Sequence, residues 1–80
     1  MQKVVLYTKA DCSLCEDAKA LLDRLYGRYP HLLEEIDITQ DETLFARYRF
    51  QIPVLVINGR ELAAPLDPGR VEQALAAQNR

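Results

Sequence analysis

The 80-residue chain has no long apolar run, no block of like charge, one histidine and two cysteines. Each shortage removes a class of protein. The amino terminus, MQKVVLYTKA, carries one early lysine and an apolar run of about four residues. That falls short of a signal peptide's apolar region and far short of a membrane span. A cytoplasmic protein with no membrane attachment is expected. Ten basic and twelve acidic residues are interspersed, for a net charge of −2. No basic stripe is available to follow a phosphate backbone, so nucleic acid is not an expected partner. A closed zinc site needs four ligands, and two cysteines with His31 do not supply them. His31 reads instead as a solvated residue at the start of a strand.

What is present is an ordinary globular mixture, 49% hydrophobic and 28% charged, without repeat, linker or low-complexity segment. The length bounds it to one domain, residues 1–80. Lys3 to Thr8 (KVVLYT) is rich in β-branched and aromatic residues and predicts a strand buried on both faces. Cys15, Ala18, Leu21 or Leu22 and Leu25 then recur at helical spacing, opposite Glu16, Lys19, Asp23 and Arg24, predicting a helix to about Tyr26. His31 to Asp37 is a second strand. Thr39 with Glu42 three residues later reads as a capping box for a second helix whose apolar face is Leu44, Phe45 and Tyr48. Val54 to Ile57 is a third strand, and Asn58-Gly59 turns it into a fourth, Arg60 to Ala63. Asp67-Pro68 reads as an N-cap with proline at the first helical position, opening a last helix around Val71, Ala74 and Leu75. The order is β-α-β-α-β-β-α, and a right-handed first crossover makes the first two strands parallel and buries them between helices.

Both cysteines fall in one stretch, YTKADCSLC, residues 7–15, where the first strand gives way to the first helix. In a reducing compartment this pair is a poor structural disulfide, because the loop it closes is too short to restrain the unfolded chain much. Reactivity explains the spacing better. At the helix start, unpaired N–H groups and the dipole favour a thiolate, which makes Cys12 the candidate nucleophile. Cys15, one turn on and facing the apolar side, is the candidate resolving thiol. The competing view, that a free cysteine is simply a small buried hydrophobe, fits Cys15 alone better than it fits the pair.

Together, the element order, YTKADCSLC and the IPV before the third strand resemble a glutaredoxin-like protein of the thioredoxin superfamily, over nearly the whole chain. The resemblance implies an α/β, thioredoxin-like (glutaredoxin-type) fold: a four-stranded mixed sheet flanked by three helices. It implies a dithiol site at Cys12 and Cys15, faced by a cis Ile52–Pro53 bond that presents the backbone of Val54 to an extended sulfur-bearing substrate. It further implies that Lys9 pairs with a glutathione carboxylate or favours the thiolate, and that Asp67 holds the tripeptide's γ-glutamyl end. Simpler roles exist for these residues: a trans proline opening a strand, a solvated loop lysine and a helix N-cap.

The sequence departs from the family pattern in two places. Ser13 and Leu14 stand between the cysteines where glutaredoxins carry proline and tyrosine. ELAAPLDPG, residues 61–69, lacks the glycine pair that precedes the aspartate. There is no tryptophan, as a typical thioredoxin motif would require. Asp11, Glu16 and Asp17 crowd the motif and oppose a thiolate that Lys9 and the helix end favour.

The expected function is a small thiol-disulfide oxidoreductase acting on protein or glutathione mixed disulfides. No tightly bound cofactor is expected, glutathione is a candidate co-substrate, a reductase system supplies electrons, and the chain is expected to be a monomer. Two alternatives stay open: a glutathione-linked iron–sulfur carrier built on Cys12 from two subunits, and a non-catalytic binding module using the cleft around Pro53, Tyr7 and Phe50.

Overall fold

The opening strand, β1 (Gln2–Thr8), alternates two kinds of side chain along its length. In the computed structural model, which describes residues 1–77, Val4, Leu6 and Thr8 are buried on one face, while Val5 and Tyr7 are half-buried on the other. This is the period-2 pattern of a strand with different cover on its two sides. The remaining elements are α1 (Ser13–Leu25), β2 (His31–Asp37), a short 3₁₀ turn (Ile38–Gln40), α2 (Glu42–Tyr48), β3 (Val54–Ile57), β4 (Arg60–Ala63) and α3 (Pro68–Ala76). The order matches the expected β-α-β-α-β-β-α.

The sheet runs β2-β1-β3-β4. β1 pairs in parallel with β2, Tyr7 opposite Ile36, and antiparallel with β3, Tyr7 opposite Val54. β4 pairs antiparallel with β3, Val54 opposite Ala63. One face packs under α1 and α3: Val4, Leu6, Leu55 and Ile57 meet Ala18, Leu21, Leu22, Val71, Ala74 and Leu75 in a single cluster. Burying each large side chain here contributes on the order of 1.5–3 kcal/mol. The opposite face carries a smaller cluster, Ile38, Tyr48 and Val54, against which Tyr7, Leu44, Phe45 and Ile52 pack. Tyr7 and Tyr48 stack there with ring centroids 4.5 Å apart.

The β3–β4 turn has Asn58 at φ 54° and Gly59 at φ 80°, the pair of positive values that a two-residue primed turn demands. Asn58 also donates from Nδ2 to the Ala74 carbonyl at 3.1 Å, which ties the hairpin to α3.

Three sequence expectations are corrected. The second strand is not buried between helices. β2 is a sheet edge, with Leu32 and Leu33 59% and 38% exposed, because β3 returns on the far side of β1 and takes the central place. His31 is not solvated: it is 4% exposed. The chain folds back after α1, so His Nδ1 lies 2.8 Å from the Tyr29 carbonyl oxygen and its ring meets Tyr26 edge-on. Thr39 does not cap α2. Asp41 does, accepting from the N–H groups of Thr43 (2.8 Å) and Leu44 (3.1 Å). Thr39 sits in the preceding 3₁₀ turn, where the Asp37 carboxylate takes both its N–H and its hydroxyl. Those two bonds hold the Asp37 carboxyl below its ordinary value.

Candidate functional site

The site forms where β1 ends. Asp11 turns the chain with φ 59°, a left-handed conformation that aspartate tolerates better than most residues. Cys12 follows in extended geometry as the N-cap of α1. Its Sγ occupies the place that a serine or aspartate oxygen usually fills, accepting from the N–H of Cys15 at 3.1 Å. Cys12 and Cys15 are joined as a disulfide, with their Cα atoms 5.2 Å apart. Cys12 is half-buried and Cys15 fully buried. Leu14, between them, is 57% exposed.

The arrangement gives the two sulfurs different chemistry. A negative charge on the Cys12 Sγ sits against an N–H donor and the positive end of a 13-residue helix, both of which stabilise it. The Cys15 sulfur has no solvent-facing surface from which to meet an external reagent, yet it reaches Cys12.

Of the three carboxylates around the motif, Glu16 is ion-paired. Its carboxylate pairs with Lys19 at 2.9 Å, and Lys19 also reaches Glu35 on β2 at 3.0 Å. The two acidic partners, Glu16 first, raise the Lys19 pKa above its ordinary value. Asp11 and Asp17 stay exposed.

The other residues singled out in the sequence fall into separate places. The Ile52–Pro53 bond is cis. Pro53 is buried and shares with Leu14 the lining of a cleft of about 260 Å³. Ile52 is half-buried against the cluster under α2 and donates its N–H to the Tyr48 carbonyl at 3.1 Å. Val54 opens β3, fully buried and in register with both Tyr7 and Ala63. Lys9 is exposed and borders a different hollow, with Glu16, Lys19, Glu35 and Asp37. Asp67 caps α3, its Oδ1 accepting from the Gly69 N–H at 2.9 Å, and borders a small hollow with Arg70 rather than the cleft. The fold thus joins Cys12 to Cys15 and brings Leu14 and Pro53 into one cleft, which neither Lys9 nor Asp67 lines.

Sequence reasoning missed the cleft's far wall. Ala64, Pro65 and Leu66 line it opposite Leu14, Ala18 and Leu21, and the Ala64–Pro65 bond is also cis. That Ala18 and Leu21 share a helical stripe was readable from spacing. The approach of the β4–α3 loop was not.

Comparison with known proteins finds relatives of this chain. Residues 3–77 match the family model described as a glutaredoxin-like domain (DUF836). The crystal structure of the structural-genomics target protein XcR50 from X. campestris is 33% identical, with 92% of this chain and 96% of that chain covered and a TM-score of 0.77. The solution structure of protein Ne2328 from Nitrosomonas europaea is also 33% identical, covering 90% and 88%, with a TM-score of 0.77. A point mutant of the thioredoxin-like protein BC3987 is 25% identical over 95% of this chain and 97% of that one, with a TM-score of 0.71.

Proposed function

The chain belongs to the glutaredoxin-like domain family (DUF836) and has a thioredoxin-like fold, and from that premise we propose that it is a thiol-disulfide oxidoreductase. The observation that carries the reading is the asymmetry of the pair. Cys12 is partly exposed at a helix N-cap with an N–H on its sulfur, and Cys15 is buried and bonded to it.

In the reduced protein, the Cys12 thiolate attacks one sulfur of a substrate disulfide. A Cys12–substrate disulfide forms, and the other substrate sulfur leaves as a thiolate that takes a proton from solvent. Cys15 then gives up its proton and attacks Cys12 Sγ, which expels the second substrate thiolate and forms the Cys12–Cys15 disulfide. Two electrons have passed from the dithiol to the substrate. An external thiol reductant returns them by the reverse exchange, with glutathione or a reductase system as its source. Negative charge on the attacking Cys12 sulfur is held by the Cys15 N–H and the helix end, and burial keeps Cys15 from competing for substrate.

The test is reduction of a small disulfide by the wild type and the two serine variants, with glutathione plus its reductase as donor and then with thioredoxin reductase. Cys12→Ser abolishes turnover, and Cys15→Ser accumulates a mixed disulfide at Cys12 that is visible by mass. Equal reduction by wild type and Cys12→Ser removes the reading.

A further inference from the structure

A cleft opens between α1 and the β4–α3 loop, with Leu14, the residue that precedes Cys15, in its lining. We propose that it receives an apolar side chain of a protein partner, adjacent to the cysteine being reduced, in preference to glutathione. This rests on the dithiol reading of Cys12 and Cys15 and names its substrate class.

Leu14, which lies between the two cysteines in the chain, lines the cleft together with Pro53, while the cysteines themselves lie outside its lining. In the proposed complex the occupant's side chain sits in the cleft and its sulfur reaches out to Cys12. One wall is a stripe of α1, Leu14, Ala18 and Leu21; the other is Pro53, Pro65 and Leu66. These six surfaces are hydrocarbon, suited to an aliphatic or aromatic side chain.

The same walls offer little to a small molecule bearing two carboxylates. Pro65 and Pro68 have no N–H. The Ala64 N–H is used by the Gln51 carbonyl at 3.2 Å. The Gly69 N–H, at the start of α3, is used by the chain's own Asp67 carboxylate at 2.9 Å. The helix end that would otherwise welcome an anion is therefore already filled by one.

Charge points the same way. Asp17, two residues after Cys15, lines the cleft, and Asp11, which precedes Cys12, stands exposed. Lys9, the nearest cation in sequence, borders another hollow. Arg24 lines the cleft, but ten residues along α1 from Leu14, roughly 15 Å at the helical rise. An extended segment needs about five residues to span that distance, which a polypeptide supplies and a tripeptide centred on its cysteine does not.

The experiment uses the full chain, reduced beforehand, in single-turnover stopped flow against four probes, each read by release of 2-mercaptoethanol. They are hydroxyethyl disulfide; glutathione linked to 2-mercaptoethanol; and two otherwise identical short peptides so linked, with leucine or aspartate beside the cysteine. The leucine peptide is expected to react about 10-fold or more faster, per molar, than the aspartate peptide and the glutathione probe. Leu66→Ser is expected to compress that ratio to within about 3-fold, and Asp17→Lys to raise the aspartate peptide's rate several-fold. Because the wild-type ratio needs no variant, a Leu66 variant that fails to fold leaves the test intact. Equal rates for the two peptides, or a glutathione probe faster than both, overturn the cleft assignment alone. Failure to reduce hydroxyethyl disulfide overturns the dithiol reading and this inference with it.

Discussion

The N–H of Ala64 donates to the carbonyl oxygen of Gln51 at 3.2 Å, and this bond joins the two loops that carry the cis prolines. One loop carries Pro53 and the other carries Ala64, Pro65 and Leu66, and all four line the cleft. Ala64→Pro removes the donor and leaves the Gln51 carbonyl unpaired. A loss of about 1–3 kcal/mol is expected, read as a lower denaturant midpoint at unchanged slope. An unchanged midpoint would show that the loops hold their places without the bond.

In the proposed dithiol role, Lys19 offsets the acidic side of α1 next to Cys12 through its ion pair with Glu16. With its ammonium gone, the charge of Glu16 stands unpaired one turn from Cys12. Lys19→Met is expected to slow thiolate attack on an uncharged disulfide by about 2- to 5-fold at low ionic strength, and added salt to recover most of that. The check is the rate constant at two salt concentrations. A deficit that salt does not touch would mean that Lys19 acts through packing instead.

Tyr48 gives the fold an alkaline limit. Burial first, then its hydrogen bond to Glu61 at 2.9 Å, raises its pKa above the ordinary 10.0. Because the folded value lies above the unfolded one, its contribution is fully present below pH about 10 and is lost as pH rises from there through the folded value. Tyr48→Phe is expected to flatten the fall in stability over that range. Chemical denaturation at neutral and strongly alkaline pH measures it, and parallel curves for wild type and variant would refute the assignment.

The β3–β4 turn is a further point of leverage. Gly59→Ala places a Cβ in open space but keeps φ at 80°, so its cost is conformational, about 1–2 kcal/mol. Asn58→Ala loses both a residue tolerant of φ 54° and the bond to the Ala74 carbonyl, and is expected to cost about 1–3 kcal/mol. Thermal unfolding of the two variants separates these effects, and Asn58→Ala should be the more damaging.

Local chemistry explains why so much of the fold was readable from residues alone. Asn58-Gly59 permits few conformations other than its turn, and Asp67-Pro68 caps and starts α3 as its side chain and missing N–H dictate. Cys12 at the head of α1 follows from the change of period after Thr8. Where two local signals competed, the reading failed: Thr39 and Asp41 both suit an N-cap, and the choice fell to Asp41 because Asp37 had already engaged Thr39. His31 and Leu32 were misplaced for a different reason. The exposure of Leu32 depends on which strand takes the centre of the sheet, and the burial of His31 on how the chain folds back after α1; both are properties of the assembled chain. The site divides along the same line. The cysteine pair is a local motif, whereas the cleft exists only because residues 64–66 come back across α1.

The burial of Cys15 bears on how the protein ages. Peroxide converts a thiolate stepwise to sulfenic, sulfinic and sulfonic acids, and only the first of these is readily reversed. With no surface open to the surroundings, the inner sulfur meets such an oxidant only through its neighbour. Damage therefore falls first on the outer sulfur, where closing the ring to the inner one quenches the sulfenic acid before it can go further.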